Sequence, residues 1–141
     1  MSESLTVYVL DTSAWLTLIE DEPGADTVQS LLEAAQAGGA ILLTSFMRYM
    51  EVYYITRQER GVEEAQARID LMTALPVLRI ESSARLSVRA AEIKATRRVS
   101  VADAWIAALA GEHEATLVHK DPEFDLVAEL VQTLALPYKT Q

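Results

Sequence analysis

The sequence predicts an α/β fold in which a mainly parallel sheet carries helices on both of its faces. Short runs of β-forming residues alternate with longer helical patterns, and strands that are separated by helices pair in parallel. Half of the 141 residues are hydrophobic, which is enough for a substantial core. Since neither a linker nor an internal repeat divides the chain, we expect one domain over residues 1–141.

The predicted elements fill almost the whole chain. In order they are strand 5–10, helices 14–20 and 25–37, strand 40–44, helices 46–59 and 62–74, strand 75–80, helices 84–96 and 101–110, strand 116–119, a short helix 125–130 and a marginal strand 134–138. The segments LTVYVL, AILLT and TLVH are β-forming runs of the length expected for buried strands. Pro76 confines the strand over 75–80 to a sheet edge or to its own first residues.

Capping and stop signals set the boundaries of the predicted helices. Thr12 and Ser13 can cap the first helix, and the sequence EDEPG breaks it. Hydroxyl residues also precede three later helices, namely Thr44 or Ser45, Ser82 or Ser83, and Ser100. Apolar residues at helical spacing mark the helix over 25–37, which Gly38 and Gly39 end, and Gly61 ends the helix over 46–59.

The composition limits where the protein works and what it can bind. The chain has no cysteine, which excludes disulfides and thiolate metal sites. Because no signal peptide and no membrane-length apolar run is evident, we expect a cytoplasmic protein with no membrane partner. The net charge of −9 argues against a simple electrostatic hold on nucleic acid.

The basic residues are nevertheless unevenly distributed. Residues 1–47 contain no lysine or arginine, whereas a short stretch of the second half contains Arg85, Arg89, Lys94, Arg97 and Arg98. The simpler interpretation is a solvated helix face, and the alternative is a basic rim beside an acidic pocket, where it could hold phosphates.

Four acids stand where they could meet in one cleft. Asp11 and Asp121 each follow a predicted strand, and the carboxyl ends of parallel strands share the sheet edge where ligands bind. Glu51 lies in the helix that follows the second strand, and Asp103 lies in the first turn of an apolar helix. Oxygen ligands without cysteine favour a hard cation, Mg²⁺ or Mn²⁺, which would offset the repulsion among the carboxylates.

Each of these acids also has a purely structural interpretation. Glu51 could face solvent, and Asp121 before Pro122 could be a turn residue. Asp103 could complete a capping box with Ser100. If this spacing is considered by itself, a capping role explains Asp103 better than a role in a site. Asp125 could cap the last short helix. Asp11 is the hardest of the acids to explain without a function.

Four blocks of the sequence resemble the PIN-domain nucleases, and within them the small bacterial toxins of VapBC-type toxin–antitoxin pairs. The blocks cover nearly the whole chain in the family's order, and they are YVLDTSAWL, TSFMRYMEVYYITR, SVADAWIAALA and TLVHKDPEFD. The resemblance implies a three-layer α/β/α sandwich around four or five mainly parallel strands. It also implies Mg²⁺- or Mn²⁺-dependent hydrolysis of RNA phosphodiester bonds.

The resemblance assigns roles to individual residues. Asp11 and Asp103 would be the most direct metal ligands, with Glu51 and Asp121 completing the catalytic pocket. Ser13 would hydrogen-bond within the site, and Asp125 is a further candidate. The family also implies a homodimer and a cognate antitoxin, for which the helices over 25–37 and 46–74 could offer apolar surface.

Two departures from the family pattern bear on the site. Arg48 lies one helical turn before Glu51 and could pair with it, which would occupy that acid in the free protein. His119 and Lys120 precede Asp121, where the family commonly has a small hydroxyl residue and then a basic one. We interpret His119 as a strand-end residue whose ring packs on the core.

Other functions remain alternatives at this point. A receiver-type signalling domain also has an acidic Mg²⁺ pocket and a lysine after its last strand, as Lys120 is here. Against it, Asp11 is followed by Thr12 rather than by a second acid. The sequence Asp11-Thr12-Ser13 also disfavours a haloacid-dehalogenase-like phosphatase, whose first strand ends in D-x-D. A further alternative is a PIN domain without a toxin role, used in RNA processing or as an inactive binding module, although the presence of all the acids argues against inactivity.

Overall fold

The computed structural model describes residues 5–138, which form five strands and six α-helices. In order these are β1 (Thr6–Leu10), α1 (Thr12–Ile19), α2 (Ala25–Gln36), β2 (Ala40–Ser45), α3 (Phe46–Arg60), α4 (Val62–Ala74), β3 (Leu78–Ile80), α5 (Ala84–Thr96), α6 (Val101–Glu112), β4 (Thr116–His119) and β5 (Gln132–Ala135). A 3₁₀ helix over Pro122–Val127 connects the last two strands. Within the described range, no helix is long and apolar enough to span a bilayer.

All five strands are parallel and follow the order β3-β2-β1-β4-β5. The first strand therefore lies at the centre, between β2 and β4. Leu10 is paired with Val118, and the Asp11 amide donates to the Val118 carbonyl at 3.0 Å. This register brings the ends of β1 and β4 together, so Asp11 and the residues after His119 lie at one edge of the sheet.

Two apolar clusters cover the two faces of the sheet. One joins Val9, Leu43 and Leu117 to α5 and α6, and its helical part includes Leu86 and Leu109. The other joins alternate residues of the same strands to α1, α2, α3 and α4. The side chains of a strand alternate between faces, so this division confirms the predicted α/β/α sandwich.

Most boundaries agree with the predicted elements, and hydroxyl caps on Ser45, Ser83 and Ser100 begin α3, α5 and α6. The first helix was predicted wrongly to be capped by Thr12 or Ser13. Asp11 caps it, accepting a hydrogen bond from the Ser13 amide. The third strand is shorter than expected and starts after Pro76, because the proline lacks the N–H that a ladder needs.

The end of the chain departs most from the predicted elements. The short helix starts at Pro122 rather than at 125, because Asp121 caps it by accepting from the Glu123 amide at 2.9 Å. Proline fits the first helical position, where its missing N–H costs nothing. The fifth strand was predicted over 134–138 but pairs with β4 over Gln132–Ala135.

Candidate active site

Asp11 is fixed at the centre of the sheet edge. The residue is 3% exposed, and its Oδ2 accepts hydrogen bonds from the Ser13 amide at 3.0 Å and the Ser13 hydroxyl at 2.5 Å. The same hydroxyl oxygen accepts from the Lys120 amide at 2.9 Å. Ser13 therefore connects the ends of β1 and β4 and sets the orientation of the Asp11 carboxylate.

Glu51 and Asp103 reach the same cleft from two helices. The Thr12 hydroxyl donates to Glu51 Oε1 at 3.2 Å, which turns this carboxylate towards α1 rather than to solvent. Ser100 caps α6 by accepting from the Asp103 amide at 3.1 Å. The reciprocal half of the capping box is made by another residue, since the Ser100 amide donates to Glu123 Oε1 at 3.2 Å. The Asp103 carboxylate is therefore available to the cleft.

The guanidinium of Arg48 lies among three of these acids. Its Nη2 is 2.9 Å from Asp11 Oδ1 and 3.4 Å from Asp103 Oδ1, and its Nη1 is 2.5 Å from Glu51 Oε1. The arginine side chain is 1% exposed. The pairing of Arg48 with Glu51 is thus confirmed, and the ion pair extends to Asp11 and Asp103 as well.

A second group of acids forms where α6 meets the segment after β4. Asp103, Asp121 and Glu123 each bring a carboxylate oxygen to within 4.8 Å of the others, a spacing that could hold a metal ion. We call these residues the outer trio. Asp103 belongs to both groups, so the structure places Asp11, Glu51, Asp103 and Asp121 around one cleft.

Glu123 is the site residue that sequence reasoning missed. The Asp121-Pro122-Glu123 sequence held a usable signal, because Asp121 caps a helix that proline begins and Glu123 then falls in its first turn. Asp125, by contrast, is exposed and lies outside the outer trio. Its charge acts on His119 and Tyr138 instead.

His119 and Lys120 lie beside the site, but their side chains contact groups other than the carboxylates of Asp11, Glu51, Asp103 and Asp121. The His119 ring is buried against Phe124 and Tyr138, with ring centroids 5.0 and 6.2 Å away, so it is the core residue that we predicted. Burial lowers its pKa despite the nearby negative charges. The Lys120 ammonium donates to the Pro23 carbonyl at 3.0 Å and lies 3.6 Å from Glu22.

Burial and crowding shift the charge states of the cleft. Burial, followed by the negative charges of Asp11, Glu123 and Asp121, raises the pKa of Asp103 to about 7 against the opposing charge of Arg48. Burial disfavours the charged form of Arg48, but the surrounding carboxylates outweigh it and raise its pKa above the ordinary value. The arginine is therefore a permanent cation of the cleft.

We expect the metal-free protein to lose stability through Asp103 as the pH rises. The pKa of about 7 lies above the ordinary 3.8, so the folded state holds this proton more tightly than the unfolded chain. The stabilisation is complete below the unfolded pKa and is lost as the pH passes the folded value. Melting curves in EDTA should show wild type falling relative to Asp103→Asn between about pH 4 and about pH 7 and levelling off above that. Parallel curves would contradict this assignment.

The predicted basic rim is divided between two places. Arg85 and Arg89 pair with Glu112 on α6, at 2.8 and 3.3 Å. The other three residues, Lys94, Arg97 and Arg98, line an open polar groove of about 680 Å³ that also contains Ser100 and Glu123. Because Glu123 belongs to the outer trio, this groove opens directly beside the acids.

A separate, mainly apolar groove is lined by none of the acids of the two groups at the cleft. It has a volume of about 430 Å³ and is formed by α1, α2 and α4 with the chain that follows α4. Its lining residues include Leu18, Leu32, Glu33, Leu71 and Leu75. The groove includes part of the helical surface that we predicted to be available to a protein partner.

Comparison with known proteins identifies the fold and its relatives. Residues 8–130 match the PIN domain family model. The VapC ribonuclease Mb1587 of Mycobacterium bovis and Ribonuclease VapC11 of Mycobacterium tuberculosis are each 32% identical over 140 residues, covering 94% of this chain and all of the relative. In solved structures, VapBC2 of Rickettsia felis bound to a promoter DNA fragment contains a similar chain (TM-score 0.76, 21% identity, coverage 94% and 100%). The chain therefore belongs to the PIN domain family, and within it to the VapC ribonucleases.

Proposed function

We propose that this protein is a Mg²⁺- or Mn²⁺-dependent endoribonuclease and the toxin of a VapBC-type pair. The observation that supports this most directly is the meeting of Asp11, Glu51, Asp103 and Asp121, with Glu123, around one cleft in a chain 32% identical to VapC ribonucleases. The receiver-type alternative is wrong, because the chain belongs to another family. The Lys120 ammonium also lies on the Pro23 carbonyl rather than among the acids.

The donor atoms of the cleft fit a hard divalent cation. All candidate ligands of the outer trio are carboxylate oxygens, the donors that Mg²⁺ and Mn²⁺ prefer. Asp103, Asp121 and Glu123 would hold the ion, with Asp11 and Glu51 completing the pocket. When bound, such an ion lowers the pKa of water and neutralises charge on a phosphodiester.

The residues of the chain would supply binding and proton transfer. Lys94 and Arg98 in the open polar groove can bind RNA phosphates beside the outer trio. In hydrolysis, a water oxygen forms the new P–O bond, the bond to the leaving oxygen breaks, and one proton moves from the water to that oxygen. A carboxylate of the outer trio is placed to accept the proton of the water.

An antitoxin and a second copy of the chain are the proposed protein partners. The similar solved structures include the DNA-bound VapBC of Salmonella typhimurium, with a TM-score of 0.75 at 17% identity over 94% of this chain and 98% of that one. We propose that an antitoxin segment occupies the apolar groove between α1, α2 and α4, which carries Glu33 at its edge. A cytoplasmic location follows from the proposed substrate and partner.

We expect purified protein to cleave RNA only when Mg²⁺ or Mn²⁺ is present. Without the ion, the carboxylates repel the phosphate, and nothing neutralises charge as the P–O bond breaks. Gel analysis of a structured RNA should show cleavage that EDTA abolishes and that excess Mg²⁺ restores. Cleavage that persists in EDTA would exclude the metal-dependent mechanism.

A further inference from the structure

Arg48 is a buried cation at the position where three carboxylates converge. It leaves the first turn of α3 and reaches Asp11 at the end of β1, Glu51 on its own helix and Asp103 on α6. The Arg48 side chain is 1% exposed, so solvent does not screen these ion pairs strongly. We call Asp11, Glu51 and Asp103 the inner three acids.

The guanidinium is held by more than its charge. Its Nη2 donates to the Ala102 carbonyl at 3.1 Å, and its Nη1 lies 3.4 Å from the Thr12 hydroxyl oxygen. Three elements and a backbone carbonyl hold this cation. To leave its position, it would have to break its buried hydrogen bonds to all of them. Arg48 therefore differs from a surface arginine such as Arg57, which is exposed on the same helix.

The arginine takes the space and much of the charge balance that a metal ion would need among the inner three acids. A Mg²⁺ ion requires oxygen ligands at about 2.0–2.1 Å, whereas these oxygens surround nitrogen atoms at 2.5 to 3.4 Å. Among the described residues, no guanidinium lies between the three acids of the outer trio as Arg48 does among the inner three acids. Two acids of the outer trio, Asp121 and Glu123, form no ion pair with an arginine or lysine in this part of the chain.

We propose that Arg48 substitutes for a second divalent ion, so that the cleft binds one metal ion at the outer trio and keeps a fixed arginine at the inner three acids. This inference rests on the proposed metal-dependent function. It changes the expected role of Asp11, which holds Arg48 instead of being a direct ligand. Arg48 is a positioning residue, since it orients Asp103, the acid that both groups share.

The number of bound ions tests this inference. Isothermal titration of the metal-free protein with Mn²⁺ should give one ion per chain for wild type and for Arg48→Lys, which keeps a positive charge. In Arg48→Met the inner three acids lose their cation, and we expect a second Mn²⁺ to bind. Arg57→Met, an exposed change on the same helix, is the matched control and should bind one ion.

The thermal stability of the same variants gives an independent readout. Without metal, Arg48→Met leaves three carboxylates unbalanced in a buried site and should melt below wild type. Mn²⁺ should then raise its melting temperature more than it raises that of wild type, because two binding events stabilise the folded state. If Mn²⁺ raised the melting temperatures of Arg48→Met and wild type equally, the inference that Arg48 takes the place of a metal ion would be overturned.

The position of the ion can be tested without altering Arg48. Glu123→Gln removes a proposed ligand of the outer trio and should weaken Mn²⁺ binding about tenfold or more, since even the partner of a ligand contributes about that much. Glu51→Gln should weaken it less, because Glu51 contacts Arg48 and not the outer trio. Two ions in wild type, or a greater loss in Glu51→Gln, would refute the inference while leaving a metal-dependent nuclease intact. Undetectable Mn²⁺ binding in every variant would refute the proposed function itself.

Discussion

Asp103→Asn is expected to reduce RNA cleavage by about a thousandfold or more, equivalent to roughly 4 kcal/mol of transition-state stabilisation. Asp103 is the acid common to the inner three acids and the outer trio, so its loss affects both the proposed metal ligands and the orientation of Arg48. Single-turnover cleavage rates at saturating Mg²⁺ measure the effect. In cells, growth arrest on expression of the wild type should be relieved by the same substitution.

The Asp103→Asn protein should remain folded, which separates a chemical effect from unfolding. The cap of α6 uses the backbone amide of residue 103 with the Ser100 hydroxyl, and asparagine retains that amide. Asp70→Asn is the matched control, because Asp70 is exposed on α4 and lies outside the cleft contacts. Cleavage by Asp103→Asn at a near-normal rate would refute the assignment, whereas active enzyme without growth arrest would favour RNA processing over a toxin role.

Trp15→Ala is expected to lower the free energy of unfolding by about 3–5 kcal/mol. Trp15 is fully buried on α1, and its indole N–H donates to the Thr44 hydroxyl at 3.2 Å. That hydroxyl donates in turn to the Leu10 carbonyl at 2.8 Å, next to Asp11. The substitution therefore creates a cavity beneath the cleft and removes one bond of a chain that joins α1, β2 and β1.

Urea unfolding of metal-free protein, followed by circular dichroism, measures this effect. Trp15→Phe should lose less than half as much, because its aromatic ring fills most of the space that Trp15→Ala leaves empty. Tyr54→Ala, at an exposed position of α3, should change the free energy of unfolding by about 0.5 kcal/mol or less. A similar loss in Trp15→Ala and Tyr54→Ala would show that α1 does not support the sheet as described.

The sheet and the sheet-edge acids could be predicted because both depend on local patterns. The first, second and fourth strands are apolar runs buried on both faces, and Asp11 and Asp121 stand immediately beyond two of them. Parallel pairing then requires the two acids to share an edge. The fifth strand was predicted at the wrong position, because its burial depends on its pairing with β4 rather than on its own pattern.

The arrangement inside the cleft could not be predicted to the same degree, because side-chain directions arise from packing between distant elements. The spacing of Arg48 and Glu51 predicted one ion pair, but nothing in the sequence indicated that the guanidinium also reaches Asp11 and Asp103. The spacing Ser100-x-x-Asp103 correctly predicted a helix cap. In the structure, however, only the backbone amide of Asp103 takes part in the cap, and its carboxylate lies in the cleft. A pattern that has one local explanation can thus conceal a second role.

The central position of β1 has a consequence for the time at which the protein can act during its own synthesis. Asp11 is made early, but β4, which pairs with β1, and Asp121 and Glu123 follow more than a hundred residues later. Translation proceeds from the amino terminus, so a ribosome-bound chain that ends before residue 121 lacks two of the five carboxylates of the site. The proposed nuclease site is therefore incomplete until translation has passed residue 123 and β4 has paired with β1.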